Sequence, residues 1–142
     1  MFKNVLLAID LAHKDEQNEA IEAAKKYAGE GSHIFVVSVI PPLEGGGFIQ
    51  SFLPADYDAN LIKKAKEALH YFTKERMPEI KDIKHLVVHG KVYEKITDIA
   101  EQLDIDLIIT MASIKRDHQS SGFGPNVARI VRNSDCSVLI LR

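Results

Sequence analysis

Four short stretches of this chain are dominated by apolar residues: VLLAI (5–9), IFVVSVI (34–40), DLIITM (106–111) and SVLIL (137–141). Runs this short and uniform suit strands covered on both faces, which is the condition of a parallel sheet inside an α/β fold. Between them the pattern changes to a helical period. Ala20, Ile21, Ala24, Tyr27 and Ala28 share one face of a helix over 15–28, stopped by Gly29 and Gly31. Leu61, Ala65, Ala68, Leu69 and Phe72 do the same over 58–76. A third strand is expected at 85–88, and from Gly90 a helix follows with Val92, Ile96, Ile99, Ala100 and Leu103 inward. A last helix is expected over 125–133. Strand–helix alternation implies right-handed crossovers and an open parallel sheet with helices on both faces, Rossmann-like in outline.

At 142 residues the chain is long enough for one self-sufficient domain, residues 1–142, burying roughly 68–70% of its unfolded surface. Its formal net charge of −2 argues against nucleic acid as a partner, which asks for a basic face. No apolar run reaches the roughly 18 residues of a membrane span. The opening MFKNVLLAID lacks a small-residue cleavage site and does not read as a signal peptide. A single cysteine, Cys136, forbids an internal disulfide. A cytoplasmic protein is the expectation.

In an open α/β sheet, ligands bind beyond the carboxyl ends of the strands, where the strand order reverses. That rule selects Asp10, Ile40, His89–Gly90 and Ala112–Ser113, with the loop MASIKRDHQSSGFGPN directly after the fourth strand. Each has a structural reading beside a binding one. Asp10 can cap the turn that follows it or accept hydrogen bonds from an adenine or ribose. Gly90 can permit a tight turn or a close ligand approach. Met111 can fill the core or pack on a flat ring. Lys115, Arg116 and His118 can be a solvated loop or, beside a helix N-terminus, an anion site. Gly122-Phe123-Gly124 can turn its N–H groups into a nest, with Ser120 and Ser121 adding hydroxyl donors. The residues 41–57 form a long connection holding Gly45-Gly46-Gly47. No GxxxxGK[ST] loop, HExxH pair or nucleophile elbow is present. Cys136 reads as a small packing residue, and neither a catalytic nucleophile nor a metal site is expected.

The blocks VLLAID, VVSVIPP, HGKVYEKITDIAEQLDIDLIITMAS and GPNVARIVRNSDCSVLILR together resemble the universal stress protein family over essentially the whole chain. The closing block, similar to "GS…A…V…R…C-P-V-L-V-V-R", is the most specific. The resemblance implies five parallel strands in the order 3-2-1-4-5, with the reversal between strands one and four. It implies a homodimer paired through Ser137–Leu141, and an adenine nucleotide, ATP or AMP with Mg2+, as the bound cofactor. The residues implied at that site are Ala8, Ile9, Asp10, Val39, Gly90, Met111, Ala112, Ser113, Lys115, Gly122, Phe123, Gly124, Pro125 and Asn126.

The family's phosphate motif, G-x2-G-x9-G-[ST], is only partly met. Its first glycine falls on Ala112 and its second near Lys115; the third matches Gly124, and Pro125 replaces the hydroxyl residue. The loop is one residue shorter than the motif, as in some family members thought to bind nucleotide. Pro125 removes one hydroxyl and one N–H from the cradle. A lost hydrogen bond to a charged group costs about 1.5–3 kcal/mol, or roughly one to two decades of affinity. The adenine and ribose contacts implied for Asp10, Val39, Gly90 and Met111 are retained. Three functions follow: a nucleotide-binding stress-response module with little or no hydrolysis, a dimeric scaffold that binds an unidentified protein partner and no nucleotide, and a slow ATPase.

Overall fold

The structure, a computed structural model, describes residues 2–42, 48–49, 51–112 and 124–142. Five parallel strands form one sheet in the order β3-β2-β1-β4-β5. They are β1 (Phe2–Ala8), β2 (Ala28–Ile40), β3 (Ile83–His89), β4 (Leu107–Met111) and β5 (Ser137–Leu141). The helices are α1 (Asn18–Tyr27), α2 (Tyr57–Arg76), α3 (Val92–Gln102) and α4 (Gly124–Asn133). The class and strand order are those expected. Among the described residues, no helix is long and apolar enough to cross a membrane.

Alternation along the inner strands feeds two cores. Val5, Leu7, Ile9, Ile34, Val36, Leu107, Ile109 and Met111 point to one face, under Ala20, Ile21 and Ala24 of α1 and Leu69 and Phe72 of α2. Leu6, Ala8, Phe35, Val37 and Ile108 point to the other, under Ile96, Ile99 and Ala100 of α3 and Ile130 of α4. The central segments of the inner strands are therefore apolar on both faces, with buried Ser38 and Thr110 as the polar exceptions.

Register between the central strands is set by a polar clasp. Asp106 accepts the Lys3 and Asn4 N–H groups through its two carboxylate oxygens, at 2.8 and 2.9 Å. Asn4 returns its side-chain N–H to the Asp104 carbonyl at 3.1 Å. The start of β1 is thereby held level with the start of β4, pairing Val5 with Leu107 and Leu7 with Ile109.

Two local expectations change. The first helix does not start near residue 15: a 3₁₀ segment, Leu11–Glu16, comes first, kinked at His13. Its backbone is satisfied by side chains, since Asp10 accepts from Ala12 N–H at 3.0 Å and buried Gln17 donates to the His13 carbonyl at 3.1 Å. Nor do Gly29 and Gly31 stop α1. The chain turns extended at Ala28, and both glycines lie within β2. Gly31, at φ +83°, falls where the β1–β2 register shifts between Phe2 and Asn4, a conformation glycine adopts without strain.

Ile108 is fully buried between β1 and α3. Ile108→Ala should lower unfolding free energy by about 2–5 kcal/mol, read from the urea midpoint at unchanged slope. Gly90 has φ +147°, and a Cβ there would sit 2.6 Å from Lys95 Cε. Gly90→Ala should cost more than about 1 kcal/mol. Adding Lys95→Ala should recover only the steric part, because the backbone strain stays.

Candidate functional site

Because all strands are parallel, their carboxyl ends share one edge of the sheet. There, on the α3 face, lies a cleft of about 90 Å3 lined by Ala8, Ile9, Asp10, Val37, Val39, Pro41, Val92 and Ile96. Ala8 and Val37 are register partners across β1 and β2. Val92 and Ile96 stand one turn apart on α3 and close the far wall. The walls are apolar and, among the described residues, Asp10 is the single ionisable lining group, so the cleft suits a flat, largely apolar ring that offers a hydrogen-bond donor.

Asp10 serves the fold as well as the cleft. Besides capping the 3₁₀ segment, its Oδ2 lies 2.9 Å from His13 Nδ1. Its backbone N–H donates to Gln17 Oε1 at 3.3 Å. The side chain keeps 22% exposure, so a carboxylate edge still meets solvent. Both readings of Asp10, cap and rim carboxylate, are thus compatible in one geometry.

Gly90 ends β3, and its N–H donates to the Ile40 carbonyl at 3.0 Å, tying together the ends of two strands. It opens α3, whose first-turn N–H groups face the same edge as the cleft. One of them, Tyr93 N–H, is taken by Asn126 Oδ1 at 3.2 Å. Asn126, implied at the nucleotide site by resemblance, therefore caps a neighbouring helix. Arg129, on the next turn of α4, lies 5.0 Å from the Tyr93 ring centroid. Gly124 and Pro125 form the first turn of α4, which suits proline's fixed φ and missing N–H.

Met111 packs in the α1–α2 core, 7% exposed, and is not among the cleft's lining residues. Ala112 donates its N–H to the Leu141 carbonyl at 2.6 Å, closing the β4–β5 ladder. Ser113, Lys115, Gly122 and Phe123, with Arg116, His118, Ser120 and Ser121, lie outside the described residues, as does Gly45-Gly46-Gly47. Of the implied residues, the structure brings together Ala8, Ile9, Asp10 and Val39.

Sequence reasoning missed Val37, Pro41, Val92 and Ile96 as cleft walls. The signal was there: Val37 precedes Val39 by one strand period, and Val92 and Ile96 share a helix face. Cys136 lies at the opposite end of the sheet, in a cavity with Asp98, Glu101, Asp104 and Asp135. Burial pushes its thiol up, and the carboxylates of Asp106 and Asp135 add to that, so it is a poor nucleophile. Among the described residues, no three His, Cys, Asp or Glu side chains gather as a metal site would require.

Comparison with known proteins follows the same lines. Universal stress protein G of Escherichia coli O157:H7 is 22% identical over 146 aligned positions, covering 100% of both chains. The solved structure of hypothetical protein MJ0577 superposes with a TM-score of 0.78 at 22% identity, covering 99% of this chain and 96% of that one. A universal stress protein from Archaeoglobus fulgidus, solved in complex with dAMP, gives 0.61 at 23% identity over 99% and 98%. These likenesses establish the fold. The sequence profile of the Universal stress protein family matches residues 1–142 from end to end, and the chain belongs to that family.

Proposed function

We propose that this chain is an adenine-nucleotide-binding regulatory module that works as a homodimer, with little or no hydrolysis. The carrying observation is the cleft beyond β1 and β2, apolar on its walls and bearing one carboxylate, Asp10, at its rim. Its chemistry matches adenine: a flat face for Val39, Val37 and Val92, and an exocyclic amine or ribose hydroxyl for Asp10. The dAMP complex of a similar fold supports the ligand class. The phosphates of ATP or AMP, with Mg2+, would extend toward Ala112, Ser113, Lys115 and the Gly122–Gly124 segment, beside the positive end of α4. The reading includes a single domain and a cytoplasmic setting.

The dimer rests on β5, an edge strand whose Ile140 is 38% exposed beside α4, where Val131 is 50% exposed. An apolar edge with open backbone groups calls for a second strand. A second reading, a scaffold that binds a protein partner and no nucleotide, is favoured by one observation: Pro125 brings no N–H to the first turn of α4 and Asn126 is engaged by Tyr93.

Nucleotide released from the denatured protein, together with melting in millimolar Mg-ATP, separates the two. The module should shift its melting upward by mass action. Asp10→Asn keeps an oxygen for Ala12 N–H and should weaken affinity about tenfold or more, the loss of one charge-assisted hydrogen bond. Absence of both released nucleotide and a shift would reject the module and leave the scaffold. Separately, Ile140→Glu should convert a dimer to a monomer in light scattering without lowering helix content.

A further inference from the structure

The C-terminal half of α2 is fastened to β3, the other edge strand, by two histidines. The His70 and His85 rings stack with centroids 3.7 Å apart and planes 27° from parallel. His85 Nε2 lies 2.6 Å from Thr73 Oγ1, and Thr73 Oγ1 lies 3.2 Å from the His70 carbonyl. Thr73 itself is buried. With the Thr73 hydroxyl donating to that carbonyl, His85 donates Nε2–H to Thr73, and Nδ1 is the atom an added proton must enter.

The charged groups around His85 are cationic. His70 and Lys66 act on it from α2, and Lys74 of α2 and Lys81 of the α2–β3 connection line the same cavity, about 670 Å3 in volume. On the other side, β2 sets Val36 beside it, between Ile34 and Ser38 on that face. The nearby carboxylates are turned to other partners. Glu75 accepts from the Tyr71 hydroxyl at 3.1 Å, Glu79 pairs with Lys25 of α1 at 2.8 Å, and Asp82 lines a separate cavity with Lys25 and Glu79. A positive charge on the His85 ring therefore adds to those of Lys66, Lys74 and Lys81.

We infer that the stacked His70–His85 pair is an acid-sensitive latch: with His85 neutral, it holds α2 on β3; with His85 protonated, it releases that helix and uncovers the apolar face of Leu69, Phe72 and Met77. Burial, and then the neighbouring His70 and Lys66, hold the His85 imidazole below its ordinary value of 6.5. The opened state therefore takes up the proton first as pH falls. The latch's contribution is complete above pH 6.5 and is lost as pH descends from there toward the folded-state value.

Backbone hydrogen exchange on the intact protein at pH 7.5 and 5.5, corrected for intrinsic rates, reads the latch directly. Peptides from α2 should lose protection at pH 5.5 relative to pH 7.5, while β1 and β4 keep theirs. His70→Ala alters an exposed side chain and should flatten this acid response. His85→Gln, whose amide can still donate to Thr73, should flatten it too. Equal α2 protection at the two pH values would overturn the inference. So would an undiminished acid response in His70→Ala or His85→Gln, or loss of protection in β1 and β4 together with α2.

Discussion

Everything in this molecule is arranged around β1. Val5, Leu6, Leu7 and Ala8 are buried on both faces, at 0–1% exposure, and β1 is hydrogen-bonded on both edges, to β2 and to β4. A strand in that position has no contact with water through which to satisfy its backbone. It needs a neighbour on each side and a helical layer above and below. Right-handed crossovers then leave one arrangement: α1 and α2 on one face serving β2 and β3, and α3 and α4 on the other serving β4 and β5. The reversal of strand order at β1 is the geometric consequence. The described cleft lies beside that reversal, beyond the ends of β1 and β2 and against the start of α3.

The cleft is economical in its use of residues. Asp10 holds a backbone N–H of the turn that follows it, so this part of the cleft's rim is also a joint of the fold. Such a rim is rigid because disturbing it exposes unsatisfied N–H groups. A ligand there meets preformed geometry, which lowers the ordering cost of binding. The two edges of the sheet differ in kind. β5 presents apolar Ile140 beside α4, whereas β3 carries Lys84, a charge that discourages pairing with another strand.

Reading the chain by its periods found the apolar part of every strand but not the start of β2, Ala28–His33, whose glycine-rich polar sequence carries no strand period. Errors fell where side chains take over from backbone periodicity. The start of α1 was misplaced because Asp10 and Gln17 stabilise a 3₁₀ segment through side-chain hydrogen bonds that no apolar pattern records. Met111 was ambiguous only while treated singly. Counted by twos from Leu107 through Ile109, it falls on the α1–α2 face. The cleft walls Val37, Val92 and Ile96 were hidden for the opposite reason: an apolar residue in a cleft and one in a core look alike in one dimension.

By itself, then, the amino-acid order determined the class of fold, the positions of the strands, and the rule that places a ligand beyond their carboxyl ends. These follow from local period and from the need to bury both faces of a parallel sheet. Only the tertiary structure decided that Asn126 caps α3 across a separation of 33 residues, that His70 meets His85, and that Asp10 is at once a cap and a carboxylate of the cleft. Those pairings join residues from different elements, whose meeting depends on how the helices settle on the sheet. No spacing along the chain encodes that.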